Sequence, residues 1–424
     1  MYKIIRLWFG NKDKKLLLSN FLSLTTLQVI NILLPLITMP YLVRVLGAEY
    51  FGLLAFATAI ISYFNIITNY GFNITATRDI SINKSDKLKV SEIFSSVMII
   101  KFMLLIVSLL ILLLLVVSFD KFYNDWEVYF FTFGVVIGQV LFPVWFFQGI
   151  EQMKYITYLN VLSKTIFTVA IFYFVKDPND YYLVPIFTSL GYIIIGIVSI
   201  IMITKKFKIT FKFQKKETLI IHTVSGWYMF IANISTSLYT MTTIVLLGFF
   251  TNNIIVGYYA IADKLINAIK QFIAPVSQTL FPYINRKAKI SKKLALIIIN
   301  KVAIISSAIS IIITAILFLF SEKILFLIFG VEASNSILVF KILLIIPFLV
   351  MLDTVFGTLL MLVFNRNKEY TKIIISAGIL NLILALILIP LYEETGAAFS
   401  VLFIELYITF RIILYTRKNG LKFF

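Results

Sequence analysis

Residues 93–118 read IFSSVMIIKFMLLIVSLLILLLLVVS, a run in which Lys101 is the one charge. Twenty-six residues of α-helix rise about 39 Å, more than the ~30 Å hydrocarbon core of a bilayer. Lipid offers no partner for backbone N–H and C=O groups, so a run this apolar can cross a membrane only as a helix, which satisfies them internally. Working outward, the same reading finds apolar runs at 18–43 and 50–74, then at 129–147, 156–175 and 182–203. Six more follow at 223–250, 254–283, 294–320, 336–364, 373–390 and 395–415. The expectation is an all-α polytopic membrane protein with 12 transmembrane helices.

Composition agrees with that fold class. Of 424 residues 60% are hydrophobic and 14% charged, with mean hydropathy +0.98. A soluble domain is nearer half apolar and a quarter charged. Lys and Arg number 38 against 20 Asp and Glu, a net charge of +18. A nucleic-acid binder would carry that excess on a polar fold, so no nucleic-acid partner is expected. One His and no Cys leave no disulfide framework, thiol nucleophile or His/Cys metal site.

The basic residues alternate by side. Segments 1–17, 75–92, 148–155, 204–222, 284–293, 365–372 and 416–424 hold 27 Lys and Arg, whereas the connections between them hold only Arg44, Lys121, Lys176 and Lys323. This is the positive-inside pattern, and it places both termini in the cytoplasm. The first apolar run is too long for a signal peptide and no small-residue cleavage site follows it, so it is expected to be retained. The organisation expected is a cytoplasmic segment over 1–17, a six-helix bundle over 18–203, a basic cytoplasmic linker over 204–222, a second bundle over 223–415 and a tail over 416–424. No connection exceeds about 20 residues, which leaves no room for a soluble catalytic domain and disfavours a glycan polymerase or ligase with large outer loops.

One stretch recurs. Leu46–Gly47 with Gly52–Leu53–Leu54–Ala55–Phe56–Ala57 matches Leu247–Gly248 with Gly257–Tyr258–Tyr259–Ala260–Ile261–Ala262, at offsets of 201 and 205 residues. Each copy lies between the first and second helices of a six-helix half, as expected of duplicated halves in the same orientation.

Polar groups inside the spans are costly unless they find a partner or water. Asn20, Gln28, Asn31, Pro35 and Thr38 share a face of the first run; Thr58, Ser62, Asn65, Asn69 and Asn73 share one of the second. The seventh carries Asn233, Ser237 and Thr240, and the eighth Asp263, Lys264, Asn267, Lys270, Gln271 and Gln278, with Pro275 as an expected kink. These stripes either line a cavity or bond helix to helix. Embedded charges are seven cations (Lys101, Lys164, Lys264, Lys270, Lys301, Lys341, Arg411) and three anions (Asp263, Asp353, Glu405). Lys101, Lys301 and Arg411 can snorkel to the surface. A cationic excess facing a cavity favours an anionic substrate. Asp263 has Lys264 and Lys270 as salt-bridge candidates, and Asp353 and Glu405 are either protonation sites or partners of Lys341 or Arg411. His222 reads as interfacial.

The run Pro35–Leu36–Ile37–Thr38–Met39–Pro40–Tyr41–Leu42–Val43–Arg44–Val45–Leu46–Gly47, followed by Tyr50–Phe51–Gly52, resembles the opening signature of Wzx-type polysaccharide repeat-unit flippases. These belong to the multidrug/oligosaccharidyl-lipid/polysaccharide (MOP) exporter superfamily. Tyr70–Gly71–Phe72–Asn73 with Ala76–Thr77–Arg78–Asp79 resembles the end of their second helix. Pro143–Val144–Trp145–Phe146–Phe147–Gln148–Gly149–Ile150–Glu151 resembles their fourth-helix exit. The resemblance covers residues 30–155 well; the second half agrees in topology and length. The plainer reading of Trp145–Phe146–Phe147 is an interfacial aromatic belt.

The resemblance implies a MATE-like V-shaped pair of six-helix bundles in the bacterial inner membrane. It also implies a cargo, an undecaprenyl-pyrophosphate-linked oligosaccharide such as an O-antigen repeat unit of lipopolysaccharide, moved between leaflets by alternating access. The carrier's pyrophosphate suits Lys and Arg. Candidate substrate residues are Arg44, Arg78, Lys264, Lys270 and Lys341, with Gln28, Asn31, Asn65, Asn69, Asn267 and Gln271 for the sugar. Arg44 and Arg78 lie at opposite ends of their helices and cannot both touch cargo in one state. Asp263, Asp353 and Glu405 are candidates for coupling to H+ or Na+ antiport, with no cofactor. Partners are the lipid-linked glycan, membrane lipids and, by the same resemblance, the glycan polymerase and chain-length machinery. The alternative is a multidrug or cation efflux transporter of the same fold, which calls for an acidic cavity.

Overall fold

The computed structural model describes residues 11–419, and every regular element among them is a helix. Residues 1–10 and 420–424, with the terminal charges Lys3, Arg6 and Lys422, lie outside the described residues, as do the side chains of Asn20, Thr240, Pro275 and Gln278. Among the described residues eight helices are long and apolar enough to cross a membrane, or nine if Lys216–Ser237 and Thr242–Phe250, bent by 52°, form one span.

The difference from twelve has a physical origin. The first of the eight, Thr26–Ile82, is 57 residues long, and the last, Asn367–Lys418, is 52. Helices of that length would rise about 80 Å, far beyond one crossing. Each is broken at a non-helical residue near its middle, Gly47 at φ 72°, ψ 176° and Glu393 at φ 50°, ψ −127°, and the first breaks again at Tyr70–Gly71 before the short helix Phe72–Ile82. Gly47 takes the left-handed region without a Cβ penalty. The pair Asn253–Gln271 and Ala274–Ile290 is excluded by its polarity, since it carries Asp263, Lys264, Lys270, Arg286, Lys287 and Lys289.

By contacts the chain forms two compact units. The first contains the described residues up to Thr38 and Ile60–Ile234. Its core gathers Phe72, Phe94, Trp145, Phe146, Phe147 and Ile203. Trp145, Phe146 and Phe147 are each 0% exposed, so the expected interfacial belt is instead the centre of this core. Apolar rings surrounded by other helices gain packing contacts that lipid-facing rings would forgo. Helices Trp126–Leu141 and Leu183–Lys205 approach closely; a Cβ on Gly138 would fall 2.4 Å from Tyr192. Small residues at such crossings let backbones meet in a membrane. After Leu183–Lys205 the basic linker is tied to Lys87–Ser118, with the Thr210 and Lys212 N–H groups donating to Ser91 and Ser95 Oγ.

The second unit contains Met39–Ala59 and the described residues from Ser235 onward. Val355, Leu359, Leu360, Met361, Ile404 and Ile408 anchor its core. Here the repeated stretch packs on its own copy. A Cβ on Gly52 would sit 1.9 Å from Asn253 O and 2.5 Å from Gly257 N, and one on Gly257 would sit 2.0 Å from Ala48 O. The Phe56 ring lies on Gly248, where a Cβ would be 2.2 Å from it. Arg44 donates from its guanidinium to the carbonyl of Leu327, near the end of helix Ser321–Phe329, where unpaired carbonyls favour a cation.

Candidate functional site

In the first unit, two cations sit among helices with neutral partners. Lys101 is 1% exposed. Its Nζ donates to Asn69 Oδ1 at 3.2 Å and to the Gln139 carbonyl at 3.3 Å, so it turns inward and joins three helices rather than snorkelling. The half-buried Lys164 on Met153–Phe174 donates to Asn31 Oδ1 at 2.7 Å. Amide oxygens satisfy an ammonium's hydrogen bonds but leave its charge in place. Two of the polar-stripe residues, Asn31 and Asn69, thus hold lysine side chains. Asn65 Oδ1 is buried with no hydrogen-bond partner among the described residues, and Gln28 is half-buried.

The second unit places two carboxyl groups together. Asp353 is hydrogen-bonded to Glu405, which is 4% exposed, and accepts from Thr409 Oγ1 at 2.8 Å. Two carboxyl groups can hydrogen-bond to each other only when one of them carries a proton. Tyr370, whose hydroxyl bonds Thr358, lies within electrostatic reach of both. Directly after Asp353 the helix widens into a π-segment, Thr354–Leu362, a geometry that recurs at functional sites. The sequence alternatives for these carboxyls resolve differently: Lys341 pairs with Glu322 at 2.8 Å, and Arg411 lies over the Tyr407 ring at 5.8 Å.

Among the other candidates, Asp263 accepts from Asn267 Nδ2 at 2.8 Å and feels the charges of Lys270 and Lys264. Lys264 and Gln271 are exposed and Lys270 half-buried. Arg78 is exposed and paired with its neighbour Asp79 at 2.9 Å. His222 is buried, with Nδ1 3.9 Å from Asp79 Oδ2, rather than open to an interface. Candidates are therefore spread over both units, and the structure brings together four groups: Lys101 with Asn69, Lys164 with Asn31, Asp263 with Asn267, and Asp353 with Glu405. Sequence reasoning missed Thr409 and Gln139. Thr409 had a signal, since it stands four residues after Glu405 on one helical face; the Gln139 contact is made by a main-chain carbonyl and has none.

The family model described as "Polysaccharide biosynthesis protein" matches residues 17–288. A protein of Escherichia coli (strain K12) named "Putative O-antigen transporter" is 32% identical over 417 residues, covering 97% of this chain and 99% of the relative. The chain belongs to the polysaccharide biosynthesis protein family. A Shigella dysenteriae protein of the same name is 27% identical, over 92% and 97% of the two chains. Among solved structures, the lipid II flippase MurJ in an inward closed conformation aligns with TM-score 0.67 and 14% identity, over 95% of this chain and 87% of that one. An inward-facing multidrug resistance MATE transporter of the MOP superfamily gives 0.68 and 14%, over 91% and 94%. The resemblance to Wzx-type proteins thus holds, with a fold shared by MurJ and MATE transporters. The family member is a multi-pass protein of the inner membrane.

Proposed function

We propose that this family member moves an undecaprenyl-pyrophosphate-linked oligosaccharide repeat unit from the cytoplasmic to the outer leaflet by alternating access. It acts as a transporter and not as an enzyme. The observation that carries the reading is the pair of lysines, Lys101 and Lys164, held inside the first unit by amide oxygens. Neither lysine has an anionic partner in these contacts, so an anionic head group such as a pyrophosphate would both pair with the ammonium groups and favour their charged form. The same charge opposes a cationic drug, which weakens the efflux alternative. Transporter names among the relatives support the class of cargo.

In the topology that goes with this reading, twelve crossings with cytoplasmic termini, each broken helix supplies two crossings. Asn253–Ile290 supplies the most polar one. Asp353 and Glu405 serve the coupling ion, a proton, because two facing carboxyl groups bind one between them. Lys264, Lys270, Asn267 and Asp263 form a second polar cluster for the head group. The test is reconstitution of the purified chain with a defined lipid-linked oligosaccharide, following leaflet transfer with and without a proton gradient. Transfer stimulated by the gradient supports both parts; absence of transfer overturns the reading. Efflux of organic cations from the same vesicles would favour the multidrug alternative.

A further inference from the structure

A groove of about 620 Å³ runs along the second unit, walled by the end of helix Lys292–Leu319, by residues 341–348 and by Phe399 and Leu402. Ile311, Phe318, Ile345, Phe348 and Leu402 make its surface hydrocarbon, and Lys341 is the one charged residue of its lining. Thr314 is also in the wall, but its hydroxyl is turned to the Leu344 carbonyl at 3.4 Å. The ammonium of Lys341 meets Glu322, which is 68% exposed and opens the short helix just past Leu319. The groove is thus apolar along the last turns of a spanning helix and cationic where that helix ends. A chain with an anionic head at one end has the same division.

We infer that this groove holds the isoprenoid tail of the polyprenyl carrier, with Lys341 facing its phosphate in place of Glu322. The inference rests on the flippase reading and adds a tail site that the head-group residues do not supply. Ordinary phospholipids share the phosphate-and-hydrocarbon chemistry. A single groove with one cation fits a single-chain amphiphile, and the carrier is the one such lipid this reading brings to the protein. The Lys341–Glu322 pair is exposed and weak, so a phosphate can displace the carboxylate at little cost.

The test is photolabelling of the full-length chain in nanodiscs with a diazirine-bearing polyprenyl phosphate, competed by unlabelled polyprenyl phosphate or by phosphatidic acid. Labels are expected on residues 311–319 and 341–348. Ala315→Trp, which fills the groove from an exposed position, is expected to reduce them about tenfold, and Lys341→Gln severalfold; Glu322→Gln, which frees the ammonium, is expected to raise them. Polyprenyl phosphate should compete and phosphatidic acid should not. Labels spread over all lipid-facing helices, equal competition by phosphatidic acid, or labelling unchanged in Ala315→Trp would each overturn the tail site. Leaflet transfer by the unsubstituted chain in the same nanodisc lipids, reconstituted as vesicles, reports on the flippase reading separately.

Discussion

Lys164 is a charge held by an amide, so its charge and its packing can be separated. Lys164→Met keeps the length of the side chain and removes the ammonium. Hydrogen bonds involving charged groups contribute about 1.5–3 kcal/mol, so transfer of the lipid-linked substrate is expected to fall about tenfold or more. Thermal unfolding should move by no more than a few degrees. A variant that transfers normally would remove Lys164 from the head-group site. Asp353→Asn should leave substrate binding intact while abolishing the stimulation of transfer by a proton gradient, because an amide cannot exchange the shared proton. At Glu322 the ammonium of Lys341 holds the carboxyl below its ordinary range by hydrogen bond and by charge. A depressed carboxyl contributes above its unfolded pKa and loses that contribution as pH falls through its folded value. The small stability difference between the native chain and Glu322→Gln should therefore be constant at neutral pH and vanish in acid. Melting temperatures from pH 7 down to 3 would show it.

Helices meet where glycine lets them. Gly52 and Gly257 bring the backbones of residues 48–59 and Asn253–Gln271 into contact, with no room for a Cβ on either side. Gly52→Val is expected to be destabilising by at least 1–3 kcal/mol, the ordinary range for overpacking, and by more where backbone rather than a side chain must yield. A loss of folded yield in detergent would report it; wild-type melting would contradict the contact. At this scale much was legible in sequence. The apolar runs fall on helices, and the gap between the first two runs, over 44–49, contains the Gly47 break. The burial of Trp145, Phe146 and Phe147 was not legible, because an aromatic cluster at a helix exit suits a lipid interface or a protein core equally until its neighbours are known. Lys101 had the same ambiguity: snorkelling and inward pairing differ by which helix face meets a neighbour, which one chain's hydropathy does not encode.

Across the whole molecule, the family was legible in the motifs over residues 30–155, and the matching family model spans residues 17–288. The repeat was legible from matched glycines, and the fold adds that the two copies pack on each other within one unit. The carboxyl pair was not legible as a pair. Asp353 and Glu405 stand 52 positions apart, and several cations were equally available to each until the helix register fixed their neighbours. The central claim is that the inner lysines serve a lipid-linked anion. The most direct measurement is the leaflet transfer rate of a defined undecaprenyl-pyrophosphate oligosaccharide in vesicles containing the purified chain, compared with the Lys101→Met/Lys164→Met double variant. Transfer well above empty vesicles that collapses in the folded double variant is the expected result. Equal transfer by both proteins, or none by the native chain under a proton or sodium gradient, would contradict the account.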